Sequence, residues 1–406
     1  MHTLLNLTNI FVKSEKEIKS MNVDNSIILS KVDAYYRDYG QRARELKEEG
    51  RKIIGYICSF VPVEMITAAG CVPFRIRGNV REPITKGDIL LETIVCPFIR
   101  SCFDLALKGN YDFLSGVVIP HACDSMTRSY SAWTYSLDLP YSHFINIPSV
   151  VKEPSFEFFN EEINTFKKSL EEYTGQEITK DSIENAIILH NSNRRKVRAI
   201  YEYRKSDPPM ISGVELMKIM IVGTSLPVEE ANSLFDEVLE WLNLRREPPL
   251  KKGPRILIDG ACLDNFELIN IIEESGANVV SDTICNGTRD SFPLVDEGGD
   301  PINSLSHRYL DKVNCPKTYR DNTSGSFEGD ISSRFGDIGR LARDFKIDGA
   351  ILYVYRYCDP FGFEVPARKA YYRSIDVPLL HLEDQYSTGT IGQLKTRIQA
   401  FLEMIG

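Results

Sequence analysis

The chain has 406 residues, of which 43% are hydrophobic, and a formal net charge of −9 at pH 7. This length suits two or three domains, and the acidic balance argues against a nucleic-acid binder, which needs a basic face against phosphate. No apolar stretch approaches the length of a membrane span, and the first residues lack the basic region and cleavage site of a signal peptide. We therefore predict a cytoplasmic protein that binds neither nucleic acid nor membrane.

Composition divides the chain into four segments. Residues 1–52 are predicted to be an arm followed by a Lys/Arg/Glu-rich helix, and 53–154 to be a first α/β domain. Residues 155–252 carry Glu, Lys, Leu and Ile at helical spacing and are predicted to be a helical connector, followed by a second α/β domain over 253–406. Strands that alternate with helices predict parallel sheets. The polar stretch 286–335 is long for a loop, which predicts a functional or partly ordered segment.

A Cys-Asp pair occurs twice, each time just after a short apolar run. The runs 116–120 and 349–355 lead to Cys123 and Cys358, and an aspartate follows each cysteine. Both runs are rich in β-branched or aromatic residues and are too short for a typical helix, so each predicts a buried strand. Ligands bind at the carboxyl edge of the strands in open α/β sheets. Two thiols that converge there from two domains predict a metal site or a disulfide.

A faint internal repeat extends beyond these pairs, with coincidence as the alternative. Residues 53–70 and 255–276 each read as strand, loop, helix and terminal glycine, and their alignment places Ser59 opposite Cys262. A Cys-Pro pair then precedes the Cys-Asp pair of each half. The nine cysteines of a chain in a reducing compartment are expected to be metal ligands or buried thiols. The sequence therefore predicts two related halves.

Several phrases of the sequence resemble the 2-hydroxyacyl-CoA dehydratase and benzoyl-CoA reductase family. The resemblance covers roughly residues 50–150 and 255–404 and is specific for the family, not the subfamily. The phrases are Tyr56-Ile-Cys-Ser-Phe-Val-Pro-Val-Glu64, Ala68-Ala-Gly-Cys-Val-Pro73, Pro120-His-Ala-Cys123-Asp124-Ser125, Asn278–Arg289, Tyr355-Arg-Tyr-Cys358-Asp359 and Leu380–Arg397. The fold that the resemblance implies is two flavodoxin-like parallel-sheet domains, here joined by the helical connector.

The resemblance implies the iron–sulfur subunit of an oxygen-sensitive enzyme. In such proteins three cysteines of one chain hold a [4Fe–4S] cluster between the two domains, and the matching positions are Cys96, Cys123 and Cys358. A partner ATPase, itself an iron–sulfur protein, supplies one electron at very low potential. In the dehydratases this electron makes a ketyl radical from the acyl-CoA thioester so that water can leave, whereas in the reductases electrons enter an aromatic ring.

The chemistry of such a cluster requires cysteine ligands. Thiolates are its usual ligands, and three protein ligands leave one iron open for a substrate oxygen, solvent or an external thiol. The Cys-x-x-Cys run of ferredoxins is absent from the sequence. Any ligands must therefore come from distant segments of the chain. The alternative is that each cysteine is a small buried hydrophobic residue.

Three more cysteines are candidates for a second cluster. Cys262, Cys285 and Cys315 lie in or near turn-like segments of the second domain. They are either ordinary thiols or metal ligands, because one branch that resembles this family carries a double-cubane [8Fe–9S] cluster held by six cysteines. The other cysteines are assigned to the core: Cys58, Cys71 and Cys102.

Candidate catalytic residues lie beside these cysteines. Ser59 and Glu64 are candidates to contact the thioester or to act as a base, although a glutamate in the first turn of a helix is equally explained by capping. His121 is next to a candidate cluster thiol and is a candidate proton carrier. Asp124 and Asp359 are expected to cap the helices that follow the two strands.

No Walker loop or Gly-x-Gly-x-x-Gly fingerprint is visible, so ATP or NAD binding by this chain is not predicted. With the resemblance, the sequence predicts a 2-hydroxyacyl-CoA dehydratase-like lyase that works anaerobically on an acyl-CoA thioester. Its expected partners are an ATP-dependent iron–sulfur activator and a homologous subunit or a second copy of itself. The alternatives are a benzoyl-CoA reductase-type subunit, a double-cubane small-molecule reductase and a non-catalytic redox protein.

Overall fold

The computed structural model describes residues 27–320 and 325–406, so residues 1–26 of the predicted N-terminal arm lie outside the described residues. Within the described residues, eight short strands form two four-stranded sheets, and every pairing in them is parallel. The predicted α/β class is therefore confirmed. The strands are β1 Ile53–Tyr56, β2 Val72–Arg75, β3 Gly116–Pro120, β4 Ser142–Ile145, β5 Arg255–Gly260, β6 Asn278–Thr283, β7 Gly349–Tyr355 and β8 Leu379–Asp384.

Helices surround both sheets and fill the segment between them. The longer helices are α1 over 27–37, α2 Gln41–Glu48, α5 Pro97–Leu107, α6 Asp124–Ser136, α7 Glu153–Thr174, α8 Lys180–Glu202, α9 Gly213–Gly223, α10 Val228–Leu244, α11 Glu267–Glu274, α14 Phe327–Asp344, α15 Asp359–Ser374 and α16 Ile391–Ile405. The shorter ones are α3 Val63–Ala68, α4 Gly87–Leu90, α12 Thr288–Ser291 and α13 Pro301–His307, with a π turn Arg308–Lys312 and a 3₁₀ turn Thr388–Thr390.

The two sheets have the same strand order. It is β2-β1-β3-β4 in the first sheet and β6-β5-β7-β8 in the second. The first strand of each sheet therefore lies between the second and the third; Ile54 of β1, for example, pairs with both Pro73 and Gly116. This is the order of the flavodoxin-like doubly wound fold. The two predicted flavodoxin-like domains are confirmed, and the shared order agrees with an internal repeat.

Four helices, α7 to α10, connect the two sheets. Two of them begin with side-chain caps: the Thr179 side chain accepts the Ser182 amide at the start of α8, and Ser212 and Glu215 form a capping box at the start of α9. Helix α8 packs against both α3 and α10. It thereby brings the connector into contact with the first domain beside β1.

Apolar residues of both sheets share one core. The buried cluster that contains Ile54 of β1 also contains Ile258 of β5, and it continues across the contact between the domains. There the ring of Phe98 lies 6.3 Å from that of Tyr355 and 5.8 Å from that of Tyr386, measured between centroids. The carboxyl edges of the two sheets therefore face a buried interface. Among the described residues, no helix has the length and apolar character needed to cross a membrane.

The polar stretch 286–335, predicted to be functional or only partly ordered, contains more helix than its loop-like composition suggests. Its described part carries α12, α13, the π turn and the beginning of α14. The caps explain the difference, because Asp300 accepts the amide of Asn303 and Ser326 accepts that of Gly329. Short, polar helices of this kind carry little hydrophobic periodicity.

Candidate metal centre

The three cysteines expected to hold a cluster occupy equivalent positions at helix starts. Cys96, Cys123 and Cys358 are the N-cap residues of α5, α6 and α15. Cys123 comes three residues after Pro120, the end of β3, and Cys358 comes three residues after Tyr355, the end of β7. The corresponding strands of the two domains thus deliver corresponding thiols to the shared interface.

The three thiols lie close enough to perturb one another. The pKa of Cys123 is raised to about 12, first by burial and then by the neighbouring Cys96 thiol. Burial raises the pKa of Cys358 well above its usual value, and Cys96 and Cys123 raise it further. Such thiols hold their protons at neutral pH. Burial and the neighbouring thiols make each free thiolate unfavourable. A metal group would release the thiol protons and pair with the thiolate charges, which makes the same arrangement favourable.

The starts of three helices favour negative charge at these thiols. Burial raises the pKa of Cys96 to about 11, while the amides of Ile99 and Phe98 in the first turn of α5 act in the opposite direction. The Met126 amide in α6 and the Phe361 amide in α15 likewise lower the pKa of the cysteine that precedes each helix. Helix N-termini carry positive partial charge and stabilise thiolates. The arrangement therefore suits thiolate ligands of an anionic cluster.

The donor set fits a cluster better than a single ion. Within residues 27–320 and 325–406, no three Cys, His, Asp or Glu side chains are arranged around the position of one metal ion. The thiolates of a [4Fe–4S] cubane bind different irons, so they surround the group instead of meeting at one point. All nine cysteines are free thiols, which removes the disulfide alternative. Three cysteines from both domains meet the requirement of a cubane with one open iron.

A second group of four thiols lies in the same interface, formed by Cys58, Cys262, Cys285 and Cys315. Burial raises the pKa of Cys58, and the thiols of Cys285 and Cys315 raise it further. The pKa of Cys262 is raised by burial and also by Cys285 and Cys58. Burial and the Cys285 thiol raise that of Cys315 to about 11. Cys58 and Cys285 therefore interact with each other and with both Cys262 and Cys315.

Sequence reasoning placed Cys58 in the core and not among the candidate ligands; the structure packs it against the core and beside the second thiol group. Cys58 comes two residues after Tyr56, the end of β1, and Cys262 comes two residues after Gly260, the end of β5. The strands therefore pair Cys58 with Cys262, one position away from the sequence alignment that used Ser59. Cys58 also has a φ of 80°, a left-handed conformation that is uncommon for a residue other than glycine and that concentrates at functional sites.

The two thiol groups are contiguous. Cys315 of the second group contributes to the raised pKa of Cys123, and Cys285 contributes to that of Cys358. Seven cysteines, three from the first domain and four from the second, are thus linked by these electrostatic interactions into one assembly. Cys102 is buried beside it, since Cys262 and Cys96 also raise its pKa, whereas no thiol contributes to the raised pKa of the buried Cys71.

Two buried arginines accompany the second thiol group. The Arg289 Nη1 donates to the Cys285 Sγ at 3.2 Å, and the Arg75 Nη2 donates to the Cys285 carbonyl oxygen at 3.3 Å. The guanidinium of Arg75 also lowers the pKa of Cys262, against the larger effect of burial. Buried cations of this kind compensate negative charge on nearby thiolates. Neither arginine was singled out from the sequence, because each reaches the thiols only through the packing of the domains.

Ser59 lies beside the second thiol group with its hydroxyl occupied. The Oγ donates to the Cys285 carbonyl oxygen at 2.5 Å, and the Arg75 Nη2 donates to the Oγ at 3.5 Å. Ser59 is buried and connects the first domain to the segment after β6. The structure therefore places it next to the candidate centre, in contact with the backbone of a candidate ligand.

Glu64 is fully buried in an ion pair, which argues against its role as a base. The Arg194 Nη2 lies 2.6 Å from its Oε1, and the Tyr309 hydroxyl donates to its Oε2 at 2.7 Å. Burial opposes ionisation, but the Arg194 guanidinium, with smaller contributions from His190, Arg308 and the Tyr309 hydroxyl, outweighs it and lowers the pKa of Glu64 to about 2. A carboxylate that is occupied on both oxygens and ionised at all ordinary pH values is a weak proton acceptor. Glu64 instead joins α3 to α8 and to the π turn.

Replacing Glu64 with glutamine is expected to destabilise the fold by about 3–5 kcal/mol, because it leaves the buried Arg194 without its counter-ion. The folded pKa of about 2 lies below the unfolded value of 4.5, so the contribution is complete above pH 4.5 and is lost as the pH falls toward 2. Urea unfolding at pH 7 and at acid pH measures both effects. Glu49→Gln at an exposed surface is the control, and equal midpoints for the two variants would contradict the assignment.

The other polar candidates lie at the margin of the centre. His121 is exposed, and its ring stacks on that of Phe144. The partial burial of the ring and the nearby Lys317 lower its pKa below 6.5. A neutral imidazole at this position can accept a proton at pH 7. Asp124 is not the N-cap, since Cys123 holds that position without a side-chain capping bond. Like Asp359, it lies in the first turn, where its charge complements the helix dipole.

These features define a class of protein: two flavodoxin-like domains that meet at an assembly of free cysteines. The family model for the 2-hydroxyglutaryl-CoA dehydratase D-component matches residues 58–405, and the chain belongs to this family. The match covers the first α/β domain from just after β1, the connector and the second α/β domain. The family predicted from the sequence is confirmed.

Three relatives are similar over most of their length. YjiM of Escherichia coli (strain K12), provisionally named a dehydratase subunit, is 28% identical over 89% of this chain and 93% of its own. A benzoyl-CoA reductase subunit of Thauera aromatica is 25% identical over 93% and 98%. The (R)-phenyllactyl-CoA dehydratase beta subunit of Clostridium sporogenes is 25% identical over 89% and 94%. All three names describe subunits.

Proposed function

We propose that this chain is the iron–sulfur subunit of a 2-hydroxyacyl-CoA dehydratase-type lyase, with Cys96, Cys123 and Cys358 as the ligands of a [4Fe–4S] cluster. The observation that carries the proposal is the meeting of these three N-cap thiols at one interface. Membership of the dehydratase family supports an acyl-CoA thioester as the substrate class. When bound, a cluster with three protein ligands supplies an electron at low potential and one open coordination position.

The residues of the chain have separate tasks in this proposal. The helix starts behind the three thiols hold negative charge at the centre, and the aromatic packing of Phe98 against Tyr355 excludes water from one side of it. His121, at the exposed margin, is the candidate to move a proton. Ser59 positions the backbone of Cys285, and Glu64 fixes α3 against the connector.

A second candidate function is a double-cubane small-molecule reductase. It is favoured by the electrostatic interaction between the two thiol groups, of Cys123 with Cys315 and of Cys358 with Cys285. In that case an [8Fe–9S] cluster would take thiolates from both groups, including the predicted ligands Cys262, Cys285 and Cys315. A benzoyl-CoA reductase-type role is supported by similarity to the Thauera aromatica protein. A non-catalytic redox protein would keep the centre without turnover.

Exposed apolar side chains beside the three N-cap thiols support a protein partner at this edge. Ile94, Tyr357 and Phe363 are 68%, 40% and 85% exposed, and each lies within five residues of Cys96 or Cys358. Exposed apolar side chains near the thiols in sequence support an interaction site at this edge. We assign it to the ATP-hydrolysing iron–sulfur activator, since an electron donor must approach the buried thiols. A homologous subunit or a second copy is proposed as the other partner, in line with the subunit names of the relatives.

Turnover is expected only when activator, reductant and ATP are supplied together to the anaerobic chain and its partner subunit. A thioester resists one-electron reduction, and this chain has no visible nucleotide motif that could drive it. The measurement is conversion of 2-hydroxyacyl-CoA and aromatic acyl-CoA thioesters, with each component also omitted in turn.

Activity with reductant alone would contradict the need for an external driver. Absence of activity toward every thioester in the complete mixture, with iron and sulfide contents intact, would favour the small-molecule reductase or the non-catalytic protein. Conversion of aromatic thioesters alone would favour the benzoyl-CoA reductase type.

A further inference from the structure

A buried hydroxyl at the carboxyl end of β7 has no hydrogen-bond partner among the residues that the structure describes. Tyr355 is the last residue of β7 and is 2% exposed, and its hydroxyl oxygen is buried and unpaired. Burial of a hydroxyl without a hydrogen bond costs free energy, so such groups are rare in native proteins. The Tyr355 hydroxyl therefore requires a partner that the described part of the chain does not supply.

Three aromatic rings hold the Tyr355 ring in place. The Phe98 ring stacks on it with 6.3 Å between centroids, and the rings of Tyr353 and Tyr386 meet it edge-on, each at 5.3 Å. A phenol oxygen moves only when its ring moves, so a ring packed on three sides fixes the position of the oxygen. The hydroxyl cannot reach another acceptor by a change of rotamer, as a serine hydroxyl can.

The two neighbouring tyrosines have partners, in contrast to Tyr355. The Tyr386 hydroxyl donates to the Asp264 carboxylate at 2.7 Å, and the Tyr353 hydroxyl donates to the Asp384 carboxylate. Both carboxylates are thus engaged by other hydroxyls. Among these three tyrosines, only Tyr355 has an unpaired hydroxyl.

The Tyr355 ring adjoins the first thiol group. Tyr355 precedes Cys358 by three residues, and Phe98, whose ring stacks on it, follows Cys96 by two residues. Both cysteines are N-cap residues and proposed cluster ligands. The strand that delivers Cys358 to the interface therefore also delivers the unpaired hydroxyl.

The Tyr355 hydroxyl also interacts with the second thiol group. Burial raises the pKa of Tyr355 well above its usual value, and Tyr353, Asp264 and Cys262 raise it further. The side chains of Tyr353 and Asp264 already have other hydrogen-bond partners. Sulfur, from Cys262 or from a group bound to the thiols, is the acceptor that remains.

We propose that the Tyr355 hydroxyl donates a hydrogen bond to the iron–sulfur group of the thiol assembly, with a thiolate or sulfide sulfur as the acceptor. The identity of the acceptor rests on the proposed function, whereas the need for one rests on the unpaired hydroxyl. A hydrogen bond to sulfur stabilises the more negative, reduced state of a cluster and so raises its reduction potential. Tyr355 thereby makes one-electron reduction of the centre easier.

Tyr355→Phe tests the proposal, because it removes the hydroxyl and keeps the ring. In anaerobically purified protein with its iron, we expect the midpoint potential from a redox titration to become more negative. We also expect about tenfold less chelator to remove half of the iron, the loss of one charge-assisted hydrogen bond. In the full-length chain stripped of iron, the urea midpoint should equal or exceed that of the parent, because phenylalanine leaves no unpaired group. The potential decides alone if the stripped chain does not remain folded.

Tyr353→Phe is the matched control. Tyr353 lies on the same face of β7, two residues earlier, and its hydroxyl is paired with Asp384. Loss of that hydrogen bond is expected to lower the urea midpoint of both the iron-containing and the stripped protein and to leave the potential unchanged. The two variants therefore affect different measurements.

An unchanged potential in Tyr355→Phe, or a shift of the same size in Tyr353→Phe, would overturn the inference. A lower urea midpoint in the stripped Tyr355→Phe chain would also overturn it, because the hydroxyl would then have a partner within the chain. A parent chain that binds no iron would reject the proposed function and, with it, the acceptor named for Tyr355. An iron-containing parent with a Tyr355-dependent potential and no thioester activity would reject the proposed substrate class alone.

Discussion

Alanine in place of Cys123 is expected to remove most of the bound iron from anaerobically purified protein and to bleach its brown absorbance. The same result is expected for Cys96 and Cys358, because each thiol is one of only three proposed protein ligands at the first centre. Loss of one ligand leaves two, which is too few to retain a cubane against dilution and exchange. Iron and acid-labile sulfide per chain, with the visible spectrum, measure the effect.

The matched control for these variants is Cys71→Ala. Cys71 is a buried cysteine of the same domain, but its raised pKa comes from burial, with only Lys52 and Arg51 as charged neighbours. Its replacement should leave the iron content unchanged and cost at most about 1–3 kcal/mol of stability. If all three N-cap variants retained full iron, the ligand assignment would be refuted.

Joint replacement of Cys285 and Cys315 is expected to distinguish one cubane from two. If the second thiol group holds iron, the parent chain should contain about eight irons and the double variant about four, with the spectrum of the first cubane preserved. Cys285 is the informative choice because it adjoins both Cys58 and Cys315 in the second group and receives the Arg289 donor.

A parent chain with about four irons that keeps them in the double variant would assign the second group to structure. The cost would then appear only in thermal stability, of order 1–3 kcal/mol for each buried thiol. Cys58→Ala adds an independent check. The left-handed backbone at this position is strained with either side chain, so the variant tests the thiol alone. Loss of iron in that variant would include Cys58 among the ligands.

The fold was predictable because local patterns determine it. The short β-branched runs end just before Cys123 and Cys358, where α6 and α15 begin. The same order of strands and helices is visible in the sequence of both halves. The helices within 286–335 were not predicted, because side-chain caps such as Asp300 hold them with little apolar periodicity. Over a few residues, the sequence of a short polar helix has the same composition as that of a turn.

The centre was predictable only in part, for a related reason. A cysteine at a strand end can be read from the sequence, but the neighbours of that cysteine cannot. Cys58 lies in the second group because of its backbone conformation and the packing of the domains. Glu64 is unsuited to act as a base because it forms an ion pair with Arg194, which is 130 residues away on another helix. Contacts between distant segments of this kind leave no periodic signal in a single sequence.

The division of the thiols between the domains has a consequence for biosynthesis. Cys96 and Cys358 are 262 positions apart and belong to different domains. A group that requires both thiols can be inserted only after the second domain has been synthesised as far as β7 and both domains have folded. Maturation of the protein is then a late event, and a nascent or truncated chain that ends before β7 offers the insertion machinery two thiols of the first centre and no third.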